Sequence, residues 1–139
     1  MQQVEVEHRF KAPPQAVWSV YTDHARWSEW AGTPGSRLVR EGSPDRNGTG
    51  AVRGFLGGLR EEILDFEPPR RMTYRVIGGL FPVRDHLGEV VLEPDGNGTR
   101  LVWRCRFEST IPGLGGILQR FVTATFRRAL RGLERHSFS

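Results

Sequence analysis

Few residues in this chain have the type and spacing for chemistry, and those few fall on strand-like segments. His86 alternates with Gly88, Val90 and Leu92, and period two puts all four on one face. A histidine on an inward strand face can act as a general base near neutral pH. Tyr74, in phase with Val76 on the preceding segment, can supply a proton or hold an enolate. Arg53, in phase with Phe55, can stabilise an oxyanion. Glu62 with Leu64 is a further inward set, which a bulge would reverse. His86, Tyr74 and Arg53 together would carry proton transfer on a carbonyl compound. A lone histidine also serves as a hydrogen-bonded core residue, so the residues leave open whether the chain is an enzyme.

Other chemistries lack their parts. His8, His24, His86 and His136 are scattered without metal-ligand spacing, so no metal site is expected. Cys105 is the only cysteine, which excludes an intrachain disulfide and a four-cysteine zinc site. It lies in an apolar strand pattern and reads as an inert core thiol. No strained nucleophile elbow is present. Gly54, Gly57 and Gly58 lack the following helix that a phosphate-cradling loop needs. No cofactor is expected.

The elements that must position these residues follow from periodicity and turn chemistry. Val4, Val6, His8 and Phe10 alternate with charged residues and predict a strand, ended by Ala12-Pro13-Pro14. Proline suits the first turn of a helix, and Val17, Trp18 and Tyr21 then recur at helical spacing. A second short helix is predicted over Ala25 to Trp30. Short strands follow at Arg37 to Glu41, Ala51 to Leu56, Leu59 to Phe66, Met72 to Ile77, Asp85 to Glu93 and Thr99 to Glu108. The joins are Gly57-Gly58, Pro68-Pro69, Gly78-Gly79 with Pro82, and Asp95-Gly96-Asn97-Gly98. Such short joins force antiparallel neighbours. On the last strand Leu101, Trp103, Cys105 and Phe107 face inward and Arg100, Arg104, Arg106 and Glu108 outward.

After Pro112-Gly113, the residues Leu114, Ile117, Leu118, Phe121, Val122, Thr125, Phe126, Ala129 and Leu133 form a wide apolar stripe on a long helix. A stripe this wide should be gripped by a concave surface. Thr125, Ala129 and Gly132 are small residues within it. They either admit the sheet closely or leave space for a ligand.

With 139 residues the chain fits one domain, 1–139. Its 37% hydrophobic and 26% charged residues are ordinary globular composition and argue against disorder. The charge is +4, carried by arginine except for Lys11. No run of like charges stands out, so a solvated arginine surface is preferred to a nucleic-acid or membrane face. No stretch reaches the roughly 18 apolar residues of a membrane span. Met1-Gln2-Gln3-Val4-Glu5 has neither the basic nor the apolar region of a signal peptide, so a cytoplasmic location is expected.

Three pieces resemble a known superfamily. Ala12-Pro13-Pro14-Gln15-Ala16-Val17-Trp18 through Asp23 to Trp27-Ser28-Glu29-Trp30 is similar to its opening pattern. Phe66-Glu67-Pro68-Pro69-Arg70-Arg71-Met72 is similar to its "PPRR" turn. Asp95-Gly96-Asn97-Gly98-Thr99-Arg100-Leu101-Val102-Trp103 is similar to its "GdGTxxxW" hairpin. These are features of the polyketide cyclase/dehydrase and lipid-transfer superfamily, which includes START-related and birch-allergen-like domains (SRPBCC). The resemblance covers essentially the whole chain. It implies an α+β helix-grip fold: a curved antiparallel sheet around a long C-terminal helix, with two short helices after the first strand.

The resemblance also implies an internal cavity for a small hydrophobic or aromatic metabolite or lipid. The expected lining is Trp27, Trp30, Phe55, Tyr74, Val76, His86, Val90, Trp103, Phe121 and Thr125, with Trp27, Trp30 and Phe81 at the mouth. The alternative interior is a filled core. Two further functions stay in view: a polyketide aromatase/cyclase-type enzyme using His86, Tyr74 and Arg53, and an arginine-rich macromolecule-binding module. The sequence is compatible with a homodimer and says nothing of the ligand's identity.

Overall fold

The computed structural model describes residues 1–138. Strand β1 (Gln2–Phe10) buries Val4, Val6 and Phe10 on one face, as its alternation requires. Helix α1 (Pro14–Tyr21) starts on its proline and buries Val17, Trp18 and Tyr21. A 3₁₀ helix over His24–Glu29 follows. The chain then runs through β2 (Arg37–Arg40), β3 (Val52–Gly54), β4 (Arg60–Glu67), β5 (Arg71–Gly78), β6 (Val83–Asp95) and β7 (Gly98–Ser109). Helix α2 (Gly115–Leu133) closes the fold and passes into a π-helical turn, Glu134–Phe138.

The strands form one seven-stranded sheet in the order β1-β7-β6-β5-β4-β3-β2, and every pairing is antiparallel. Strands β3 to β7 follow as neighbours because their joins are short, and the longer 41–51 loop returns β2 beside β3. The segment carrying α1 and the 3₁₀ helix takes the chain from the β1 edge to the β2 edge. The core lies between the inner sheet face and α2. Leu101, Trp103, Cys105 and Phe107 of β7 are all buried, as their shared parity predicts. Trp103 stacks on Phe126 of α2 with ring centroids 3.8 Å apart and planes 8° from parallel. Such a pair adds about 0.5–1.5 kcal/mol to the area it buries.

Two expectations about facing are corrected. On β4 it is Glu61 and Ile63 that face inward, while Glu62 pairs with Arg40 and Arg75 on the outside. Register shifts between β4 and β5, at Arg60/Glu61 and Ile63/Phe66, break the simple alternation. On α2 the residues turned to the sheet are Leu118, Val122, Phe126, Ala129, Leu130 and Leu133. Ile117 and Phe121 are 63% and 60% exposed. The apolar stripe is wider than the groove that receives it, so one flank stays in solvent.

Two glycines let backbone and ring approach at the centre. A Cβ on Gly132 would stand 1.9 Å from the Trp30 carbonyl oxygen, so α2 seats against that segment only with glycine there. A Cβ on Gly88 would stand 2.2 Å from the Tyr74 ring, which lies flat over the glycine on the neighbouring strand. Gly88→Ala is expected to cost about 1–3 kcal/mol through overpacking. Urea denaturation measures it, and wild-type stability in that variant would contradict the ring's position.

Candidate functional site

The centre of the molecule is a buried cation. The Arg53 side chain is fully buried, and its Nε donates to Glu61 Oε1 at 2.8 Å. Its guanidinium carbon lies 4.3 Å from the Trp27 ring centroid and 4.5 Å from that of Tyr74. Aromatic faces carry negative potential and partly replace lost hydration. Arg53 Nη1 points to His24 Nδ1 at 3.5 Å, and the opposite ring nitrogen of His24 meets the Asn47 carbonyl oxygen at 2.9 Å. The Asn47 carbonyl requires a proton on His24 Nε2, which leaves Nδ1 free to accept from arginine. Burial first, and the Arg53 charge second, push the His24 pKa down to about 3. Among the described residues, Arg53 Nη2 and the Tyr21 hydroxyl have no hydrogen-bond partner.

Beside this pair lies a cavity of about 90 Å³ between the sheet and α2. Its apolar wall is Phe81, Phe107, Phe121, Val122 and Phe126, with Thr125 at the edge. Its polar wall is Glu61, Tyr74 and His86, with the thiol of Cys105. Burial pushes that thiol up to about 12 and raises the Tyr74 phenol well above its ordinary value. Both are therefore neutral near pH 7. The Tyr74 hydroxyl accepts a hydrogen bond from Trp103 Nε1 at 2.7 Å. Phe81 and Phe121, with centroids 6.2 Å apart, roof the cavity where it meets solvent.

His86 owes its place to a local irregularity. The β5–β6 ladder ends at Tyr74–Gly88, and the His86 ring takes over: its Nδ1 accepts the Val76 N–H at 3.3 Å. The β6–β7 register slips between Arg84 and Leu87, and Asp85 sits there at φ 51°. A left-handed non-glycine residue in a bulge marks a backbone held by its surroundings. Burial lowers the His86 pKa.

Of the lining read from sequence, Tyr74, His86, Phe121 and Thr125 border this cavity. Trp27, Trp30, Phe55, Val90 and Trp103 are buried in the packed core instead, and Val76 is half-buried off the cavity. Trp27 and Trp30 therefore lie away from this cavity, and Phe81 borders it. Arg53 stands behind Glu61 and does not border the cavity. Glu61 escapes strand parity because the register shift between Ile63 and Phe66 puts Glu61 and Ile63 out of phase with Phe66, which also packs on the core. Its shared face with Ile63 was the available signal. In the sequence Tyr21 shows only as part of a helix stripe, and His24 only as one of four scattered histidines. Of the small residues of α2, Gly132 lets the helix approach the Trp30 carbonyl, Ala129 is buried, and Thr125 borders the open space.

Among the described residues, no cluster of three or more His, Cys, Asp or Glu could hold a metal, and no helix is long and apolar enough to cross a membrane. The outward arginines are largely paired. Arg104 bridges Glu5 and Glu89, Arg71 bridges Glu89 and Glu67, and Arg100 bridges Glu7 and Glu93.

A curved antiparallel sheet gripping a C-terminal helix, with a small space between them, defines the helix-grip class. Within it the chain belongs to the polyketide cyclase / dehydrase and lipid transport family, whose profile matches residues 1–137. A protein from Nitrosospira multiformis is 20% identical, with TM-score 0.80, covering 99% of this chain and 97% of that one. Ara h 8.0201 is 14% identical, with TM-score 0.77, covering 98% and 97%. The di-domain ARO/CYC protein BexL, from the BE-7585A biosynthetic pathway, is 17% identical, with TM-score 0.77; the match covers 98% of this chain and 46% of that one. At these identities the likeness establishes the fold. No protein of curated function matches the chain.

The buried groups give two expectations. His24 is neutral in the folded protein down to about pH 3 and titrates near 6.5 when unfolded. Its stabilising contribution is complete above pH 6.5 and erodes as pH falls toward 3, by up to about 1.4 kcal/mol per pH unit. His24→Asn is expected to flatten the stability slope between pH 6.5 and 5, read by urea denaturation at each pH. Arg53→Met is expected to cost about 3–5 kcal/mol by leaving Glu61 unpaired, and Arg53→Met/Glu61→Leu to recover most of that loss. Equal destabilisation of the single and double variants would contradict the coupling.

Proposed function

We propose that the chain binds a small hydrophobic or aromatic molecule in the cavity between β4–β7 and α2. The observation that carries this is the make-up of the cavity: aromatic and aliphatic walls with a few convergent polar groups at one end. That is the usual composition of a small-molecule site. The volume of about 90 Å³ is below the roughly 300 Å³ at which such sites commonly begin, so the resting cavity fits little more than one small ring. A longer ligand enters by parting Phe81 and Phe121. Phe121 is 60% exposed and has room to swing outward. Membership of a family described by lipid transport and by polyketide cyclisation agrees with this reading.

One observation favours an enzymatic second reading. His86, Tyr74 and Glu61 border the same small space. With its proton moved from Nε2 to Nδ1, the neutral His86 imidazole would be a base beside the neutral Tyr74 phenol as acid, the pair that an aldol-type closure of a poly-β-ketone needs. BexL, an ARO/CYC protein, shares the fold. Under this reading His86→Ala abolishes turnover of such a substrate and leaves its binding nearly intact. A macromolecule-binding role draws less support, because the glutamate ladder neutralises most of the outward arginines.

Native mass spectrometry after gentle purification, with solvent extraction of bound material, tests the main reading. A stoichiometric small molecule is expected. Thr125→Leu, which places extra methyl groups in the space, should lose that molecule and keep wild-type stability within about 1.5 kcal/mol. Retention of the molecule by a folded Thr125→Leu protein would move the binding site elsewhere.

A further inference from the structure

Glu61 and His86 on the polar wall of the cavity differ in what they offer. Glu61 Oε1 is committed to Arg53 Nε at 2.8 Å. Its side chain is 13% exposed, and Oε2 has no protein partner among the described residues. It is an acceptor with nothing to accept. A backbone N–H donates only to an unprotonated ring nitrogen, so the bond from Val76 to His86 Nδ1 puts the neutral imidazole's proton on Nε2. Nε2 also has no protein partner among the described residues, so His86 is a donor with nothing to donate to. Beside the Tyr74 hydroxyl and the Cys105 thiol, the same space thus holds an unspent carboxylate acceptor and an unspent imidazole donor.

We propose that this pair selects a ligand bearing a neutral hydroxyl, and that it rejects a carboxylate. A hydroxyl both donates and accepts. It would give its proton to Glu61 Oε2 and take the Nε2–H of His86 on its oxygen. A carboxylate only accepts, and would meet the Glu61 carboxylate at short range in a partly desolvated space, which disfavours it. The rest of the cavity is aromatic, so the hydroxyl belongs on a ring or a short apolar chain. An ether or a plain hydrocarbon leaves Glu61 Oε2 unpaired. Glu61 and His86 are therefore the specificity-determining residues, and Arg53 is a positioning residue that locks the Glu61 carboxylate through its other oxygen. The inference rests on the reading of this cavity as a small-molecule site.

The probes are phenol, anisole, toluene and benzoate, titrated into ¹⁵N-labelled protein at pH 7 and followed at the amides of Phe107, Val122 and Phe126. Phenol is expected to bind at least about tenfold more tightly than anisole or toluene, the gain of a hydrogen bond to a charged acceptor. Benzoate is expected to be the weakest. His86→Phe keeps the ring shape and should reduce the phenol preference several-fold while toluene affinity holds. Glu61→Gln should abolish the discrimination against benzoate. If that variant fails to fold, the four probes on wild-type protein and His86→Phe still decide. Equal binding of phenol and toluene, or benzoate binding as tightly as phenol, overturns the hydroxyl inference and leaves the cavity reading standing. If none of the four probes moves these amides, the cavity reading fails for single rings and this inference with it.

Discussion

A guanidinium held entirely out of water constrains everything around it. Desolvating an ion of this size costs several kcal/mol, and the cost persists unless charge and hydrogen bonds are returned from the protein. Arg53 meets that demand with the Glu61 carboxylate, the faces of Trp27 and Tyr74, and the nitrogen of His24. Each partner is fixed in turn. Glu61 must face inward, although it is a glutamate on a strand. His24 must stay neutral and reach the Asn47 carbonyl, which ties the loop after β2 to the core. Tyr74 must lie flat over Gly88, which only glycine allows.

This arrangement explains why the interior holds so little open space. The box around Arg53 consumes the middle of the sheet, and the Trp103–Phe126 stack consumes the middle of α2. What remains is the end of the groove where β5 and β6 part and α2 overhangs. The slipped register near Asp85 aims His86 into that end. The cavity therefore has an apolar roof and a polar back, and the polar back is an extension of the buried ion pair. A fold shared with proteins of different activity can host different ligands by moving this boundary between filled core and open space.

The outer sheet face follows a different rule. Arg104 of β7 lies opposite Glu5 of β1 and Glu89 of β6, and Arg100 opposite Glu93 of β6, so several of its charges sit beside their complement. Exposed pairs of this kind are individually weak. Their consequence is electrostatic: a net positive chain presents a nearly balanced sheet surface. On the back of α2, Arg120, Arg127 and Arg131 stand in solvent.

Local periodicity alone determined a great deal here. The alternation in β1 and β7, the hairpin glycines, the proline before α1 and the long stripe of α2 each report a backbone preference set by near neighbours. Together they specified the order of elements, the antiparallel sheet and the family. Inward parity was legible on β6 and β7, where His86, Val90, Trp103 and Phe107 alternate without interruption until the bulge at Asp85. It failed on β4, because a register shift changes facing without changing composition. The stripe of α2 was legible, but not which flank the sheet would cover, since that depends on the groove's width. Only the tertiary structure decided that Glu61, rather than Glu62, faces inward to Arg53 and the cavity. Only packing decided that Trp27, Trp30 and Trp103 fill the core while Phe81 and Phe121 roof the space. Volume, burial and the pairing of a charge are properties of residues distant in the chain, and no local pattern encodes them.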